Sequence, residues 1–172
     1  YALLNEERDQ NRELLQEIKH RKSLEAQLRM VAERDTLTGV DSRSYFMKRA
    51  QALLQRSHLE ETPFCLFMID VDHFKKINDT WGHTQGDGIL TKIAEVCQHS
   101  LRPTDIIGRF GGEEFVVGLP HTSPNDATAV AERLKQGVEA LSLDGEFQDL
   151  QLSVTIGVAV ATPEDDLDTL IT

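Results

Sequence analysis

The 172-residue chain has no uninterrupted apolar run of about 18 residues, the length that a membrane-spanning helix needs. It also lacks a secretory leader and any lipidation motif. It opens on Tyr1 and is expected to be a piece of a longer protein. Any membrane tether of that parent would lie upstream, with this piece in the cytoplasm. Cysteine is scarce. Cys65 and Cys97 have neither zinc-ligand spacing nor the density of a disulfide framework. Both fall in apolar patterns and are expected to be buried thiols of a reducing compartment. Basic charge is short as well, with 18 Lys and Arg against 29 Asp and Glu. The deficit is uneven: residues 1–34 balance at 7 and 7, leaving 11 basic and 22 acidic groups for the rest. Duplex nucleic acid rewards clustered lysine and arginine, so it is excluded as a partner. A small phosphorylated ligand is not, because metal ions on a few carboxylates can hold it. No G-x-S-x-G, G-x-x-x-x-G-K, H-E-x-x-H or C-x-x-C element is present, which removes the chemistries those motifs carry.

What is there suffices to fold. Hydrophobic residues make up 40% of the chain, enough for one globular domain with length to spare. Residues 1–34 contain no Pro or Gly and are rich in Glu, Arg, Leu and Gln. They predict a helix roughly 50 Å long at about 1.5 Å per residue. Leu4, Asn11 and Ile18 recur every seven residues, with Leu14 in the second seam position. Leu24, Leu28 and Val31 form a second apolar set in a shifted register. The stripe is too narrow for a core helix, so a dimeric coiled coil is expected, with its register set at Asn11 and broken near residues 19–23.

Asp35-Thr36-Leu37-Thr38-Gly39 reads as a hinge between this stalk and the domain over 35–172. A helix is expected over 44–57 and a fully buried strand over 64–69. A second helix follows over 85–101. Ile106-Ile107 and Phe115-Val116-Val117 flank Gly111-Gly112 as a hairpin. A helix over 125–141, a strand over 150–160 and the start of a helix over 164–172 complete the chain. This order predicts an α/β sandwich, of α+β type, with a mostly antiparallel sheet flanked by helices.

Chemistry concentrates at the sheet. Asp70-Val71-Asp72 puts two carboxylates at the carboxyl end of a buried strand, where open sheets place ligands. Asp72-His73-Phe74-Lys75 then turns the chain, so backbone N–H groups and one lysine could meet phosphate oxygens. Gly111-Gly112 lets a ligand approach the hairpin tip, and Glu113 and Glu114 follow at once. An Asp from one strand and a Glu from the neighbouring hairpin can jointly hold Mg²⁺, which keeps few protein ligands. Two such ions would suit nucleotidyl transfer of the polymerase kind. Asn78 and Asp87 flank a turn containing Gly82, His83 and Gly86. An amide and a carboxylate match the donors and acceptors of guanine.

Asp70-x-Asp72-x-Phe74-Lys75-x-x-Asn78-Asp79-x-x-Gly82-His83-x-x-Gly86-Asp87 resembles the signature of GGDEF-domain diguanylate cyclases. Gly111-Gly112-Glu113-Glu114-Phe115 resembles the naming motif in its GGEEF form, and Asp35-x-Leu37-Thr38-Gly39 the opening motif. The resemblance implies a nucleotidyl cyclase fold like a polymerase palm. It implies condensation of two GTP into cyclic di-GMP with release of two pyrophosphates, between half-sites of a homodimer joined through the N-terminal helix. It makes Asp70, Glu113 and the Val71 carbonyl ligands of Mg²⁺ (or Mn²⁺), with Glu114 a subsidiary ligand. Glu113 would also accept the proton. Lys75 and the amides around Phe74 would hold phosphates beside Gly111 and Gly112. Asn78 and Asp87 would read guanine, with His83 nearby. Arg102-Pro103-Thr104-Asp105 looks like the family's product-binding inhibitory site, with Arg109 assisting.

Val40 and Ser42 depart from the opening motif, where Leu and Asn are usual, and are expected to alter only hinge packing. The family continues with a helix whose Lys and Arg also contact phosphates. The chain reaches only Thr172, so weak GTP binding by this piece is a further expectation. The rival reading is a cyclic di-GMP receptor or dimerisation module without turnover. The presence of Asp70, Glu113, Asn78 and Asp87 together argues for the enzyme.

Overall fold

The computed structural model describes residues 2–143 and 150–171, the side chains of 2–6, 30 and 31 excepted. Leu4 and Val31, two residues expected on the stalk stripe, lie outside the described side chains. Helix α1 runs unbroken over Ala2–Glu33, and residues 7–29 are exposed throughout. Leu14, Leu15, Ile18, Leu24 and Leu28 are among the exposed large hydrophobics, with Leu28 at 69%. No helix among the described residues is long and apolar enough to cross a membrane.

After the stalk come α2 (Arg43–Leu59), β1 (Phe64–Val71), α3 (Phe74–Trp81), α4 (His83–Ser100), β2 (Ile106–Gly111), β3 (Glu114–Pro120), α5 (Pro124–Glu139), β4 (Val154–Val160) and α6 (Leu167–Ile171). The strands form one antiparallel sheet in the order β2-β3-β1-β4. This is the expected sandwich with two differences. Helix α3 occupies what reads as a plain turn in the sequence; its signal is Phe74, Ile77 and Trp81, spaced to share one helical face. The last strand starts at Val154 rather than at Leu150.

The continuous apolar run of β1 serves two cores at once. Cys65, Phe67, Ile69 and Val71 face one core with Ile89, Leu90, Ile93 and Leu134 of α4 and α5. Phe64 and Leu66 face the other, with Phe46, Ala50 and Leu54 of α2 and Leu167 of α6. Alternation therefore survives in a strand with no polar face, because both faces are covered. The helix starts are locally coded. Ser42 Oγ accepts from the Tyr45 N–H and Ser123 Oγ from the Asp126 N–H, with Pro124 in the first turn of α5. Ser42, the departure from the family motif, thus caps α2, and Val40 is fully buried. Both cysteines are buried and unpaired, as expected, and burial pushes the Cys97 thiol up to about 12.

Helix α2 lies close on β2 because Gly108 has no side chain. A Cβ there would stand 2.6 Å from Phe46 Cβ and 2.9 Å from Phe46 Cγ. Phe46 is fully buried and has no room to yield. Gly108→Ala is therefore expected to destabilise the domain by about 1–3 kcal/mol, measured as a lower urea midpoint with an unchanged slope.

Candidate active site

The centre of the site is the carboxyl end of β1. Asp70 is the register partner of Glu114 on one side and of Thr155 on the other. The Val71 N–H reaches the Glu113 carbonyl at 3.3 Å. Strands β2 and β3 turn through Gly112 and Glu113, with a register shift between Arg109 and Gly111. Gly111 (φ +152°) and Gly112 (φ +47°) hold backbone angles that favour glycine. This tight turn delivers Glu113 and Glu114 to Asp70.

The charges are crowded. Burial, and then the nearby charges of Glu113, Glu114 and Asp72, push the Asp70 carboxyl above its ordinary value. Among the described residues, none of Asp70, Glu113 and Glu114 is ion-paired with a lysine or arginine. No group of three or more His, Cys, Asp or Glu among the described residues makes a ready metal cage. Mg²⁺ does not need one, since it takes most of its ligands from water and phosphate. Uncompensated hard oxygens from two neighbouring strands fit such an ion. Asp72 lies at the same strand end but is otherwise engaged. Its carboxylate accepts hydrogen bonds from Ser153 Oγ and Thr155 Oγ1, both at 2.6 Å. Those bonds hold its carboxyl below the usual range.

Beyond Asp72, His73 adopts a left-handed conformation (φ +57°) and α3 begins without a side-chain cap. Phe74 is buried while Lys75 is exposed. Helices α3 and α4 meet at Gly82, and Gly86 presses on Asn78 so closely that a Cβ would collide with Asn78 Oδ1. Asn78 Oδ1 is buried and has no hydrogen-bond partner. A buried amide oxygen without a donor is rare, and it is a natural feature of a binding site without its ligand. Asp87, next after Gly86, and His83, at the start of α4, are both exposed.

Arg109 differs from expectation. It does not join Arg102 and Asp105, because it lies toward the other end of the β2–β3 hairpin. Its Nε and Nη2 donate to the Gly112 carbonyl at 3.0 and 2.8 Å, and its Nη1 donates to Asp35 at 3.2 Å. It therefore braces the glycine turn against the turn that begins at Asp35. Arg102 and Asp105 do meet, at the Pro120 end. Arg102 donates to both Asp105 oxygens from its guanidinium, to one of them also from its backbone N–H, and to Thr122 Oγ1 at 2.6 Å. The Asp105 side chain is wholly buried and Arg102 is half exposed. Asp105 is thus turned inward onto Arg102 rather than outward to solvent.

Sequence reading missed the anchoring roles of Asp35 and Asp72. Asp35 is a turn residue whose partner, Arg109, lies far along the chain, so no local pattern announces it. Burial raises the Asp35 carboxyl, but bonds from Thr38 and Arg109 outweigh this and leave it below its ordinary value. A lowered carboxyl stabilises the fold above the unfolded-state value and loses that contribution as pH falls through the folded one. The stability gap between wild type and Arg109→Ala is therefore expected to be widest near neutral pH. It should narrow below about pH 4, leaving the part due to the Gly112 carbonyl. Chemical denaturation across pH checks this.

Residues 32–172 match the family described as diguanylate cyclase, GGDEF domain. The chain is 40% identical over 139 residues to the probable diguanylate cyclase DgcT of Escherichia coli K12, covering 80% of this chain and 30% of that protein. It is 36% identical over 138 residues to the E. coli diguanylate cyclase DosC, with the same coverage. It thus spans under a third of the length of these curated relatives. Among solved structures, the coiled coil and GGDEF domain of DgcB from Caulobacter crescentus, in complex with c-di-GMP, superposes with a TM-score of 0.87 at 25% identity, covering 92% of this chain and 85% of that one. Diguanylate cyclase SiaD of Pseudomonas aeruginosa, in complex with its activator SiaC, gives 0.79 at 33% identity, covering 99% and 68%. With its hairpin carboxylates at the end of β1 and its family match over nearly the whole domain, the chain belongs to the GGDEF diguanylate cyclase family.

Proposed function

We propose that this chain condenses two GTP into cyclic di-GMP, releasing two pyrophosphates, in the cytoplasm. The observation that carries the reading is the unneutralised cluster of Asp70, Glu113 and Glu114 at the end of the central strand. Asp70, Glu113 and the Val71 carbonyl would hold Mg²⁺ or Mn²⁺, with Glu114 as a further oxygen donor. The ion, when bound, neutralises triphosphate charge that an acidic domain would otherwise repel. Glu113 accepts the proton of the attacking 3′-hydroxyl. Gly111 and Gly112 leave room for the phosphates at the hairpin, and Lys75 and the amides around Phe74 hold them from the other side. Asn78 offers its unpartnered Oδ1 as an acceptor to guanine, and Asp87 accepts from the guanine ring N–H and amino group. Adenine lacks that pattern. His83 borders the base. Arg102, with Asp105 holding it from beneath, meets product phosphate through its exposed face and so limits output.

One domain supplies half a reaction centre, so two must face each other. The exposed leucine and isoleucine stripe of α1 supplies the means, by pairing with a second copy of this helix. Pairing raises the effective concentration of the half-sites.

Incubation with GTP and Mg²⁺, followed by mass spectrometry, tests the reading. The wild-type chain is expected to yield cyclic di-GMP, and Glu113→Gln to lower the rate at least about 100-fold. No product from the wild-type chain, together with tight cyclic di-GMP binding, would favour a receptor instead. Removal of residues 1–30 should lower activity per domain most at sub-micromolar protein and least when protein is concentrated. Equal activity at all concentrations would refute pairing through α1.

A further inference from the structure

Residues two apart on a strand share a face, so Asp70 and Asp72 read as a pair of carboxylates aimed at one place. The fold gives them different partners, although they stay close enough to repel. Strand β1 ends at Val71, and the Asp72 N–H pairs with the Ser153 carbonyl at 3.0 Å. Its Oδ2 accepts from Ser153 and its Oδ1 from Thr155, each at 2.6 Å. Three bonds from one residue thus reach two residues at the start of β4. Thr155 is the register partner of Asp70, and Val154, between the two hydroxyls, is the partner of Val71. Among the described residues, strand β4 lies at an edge of the sheet, with β1 as its one neighbour. Its start therefore depends on what holds it to β1, and Asp72 supplies that hold.

The other side of Asp72 matters as much. His73 follows in a left-handed conformation that non-glycine residues seldom adopt. It is fixed behind by the clamp on Asp72 and ahead by the Ile77 N–H on the His73 carbonyl at 3.1 Å. Buried Phe74 then opens α3. The direction in which the first turn of α3 faces is set by a residue whose two carboxylate oxygens both accept short hydroxyl bonds.

We infer that Asp72 is a positioning residue for the nucleotide and not a metal ligand: through Ser153 and Thr155 it fixes the β1–α3 turn that faces the phosphates. This rests on the function proposed above. A positioning residue that acts through hydroxyls makes a distinctive prediction, because removing the hydroxyls must reproduce removal of the carboxylate.

The test is binding of a GTP analogue with a non-cleavable α–β bridge, titrated in Mn²⁺, beside steady-state kinetics. Asp72→Ala is expected to weaken analogue affinity and raise KM by about 10- to 100-fold, with a smaller change in kcat. The double variant Ser153→Ala/Thr155→Val should do the same while leaving every carboxylate in place. Asp72→Asn keeps one acceptor and should fall between. The Mn²⁺ concentration for half-maximal analogue binding should stay that of wild type in all three. A sharp rise in that concentration for Asp72→Ala, with wild-type behaviour of the hydroxyl double variant, would make Asp72 a metal ligand and overturn the inference. Wild-type affinity in every variant would overturn it too. Should Asp72→Ala fail to fold, the double variant decides alone. Failure of the wild-type chain itself to bind the analogue would instead remove the proposed function, and this inference with it.

Discussion

The register of β1 is the constraint on which the rest depends. The strand is paired on both edges, with β3 and β4, and covered on both faces by separate cores. A slip of one residue would exchange the two faces, sending Phe67 and Ile69 toward the α2 side and Leu66 toward the α4 side. Both cores are filled, so neither can absorb the exchange. The same register sets Asp70 opposite Glu114 and Thr155. The position of the carboxylates is therefore enforced by hydrophobic packing along the whole strand. Burial first, and then the neighbouring acids, raise the Asp70 carboxyl, so the acidic cluster disfavours its own charged form. It could not organise its own geometry.

A second chain of contacts runs from the stalk to the hairpin. Arg34, just past α1, and Arg49 of α2 both donate to Asp41, whose carboxylate is buried. A buried charge without partners is costly, so this carboxylate ties the stalk end to the first helix of the domain. The Asp41 backbone bridges to β2, accepting from the Arg109 N–H and donating to the Ile107 carbonyl. Arg109 then grips Asp35 on one side and the Gly112 carbonyl on the other. Residues 35–41 thus form a strip of backbone laid on the edge of the sheet that carries the glycine turn. A displacement at the base of α1 would be felt at Gly112 through short, directional bonds.

The elements that were legible in the sequence were those whose signal is local or periodic. The β1 run, the amphipathic α4 and α5, the glycine hairpin and the proline- and glycine-free stalk each announce themselves within a few residues. The carboxylates at the end of β1 and at the hairpin could be joined in advance because both motifs sit at strand ends. Helix α3 was obscured because only eight residues separate the turn after β1 from Gly82. The partnerships of Arg109 were illegible for a different reason. An arginine next to a turn offers no hint whether it reaches along its own strand or across to a hinge far back in the chain. Asp72 was legible only as a second carboxylate at the strand end; its partners Ser153 and Thr155 lie far along the chain, so no local pattern announces them.

The charge distribution follows one logic. The domain is acidic; among the described residues Asp70, Glu113 and Glu114 have no basic ion-pair partner, whereas several acids that build structure do. Asp41 has two arginines, Asp105 has Arg102 and Asp35 has Arg109. Asp72 is held first by two hydroxyls, with Lys135 near enough to lower its carboxyl further through charge. An arginine at that position would stand beside Asp70 and compete with a divalent ion for its oxygens. Neutral hydroxyl donors hold Asp72 firmly without cancelling the negative field that the proposed chemistry needs. Asp41, Asp105, Asp35 and Asp72 are thus engaged by partners within the fold, whereas Asp70, Glu113 and Glu114 are left open for a cation.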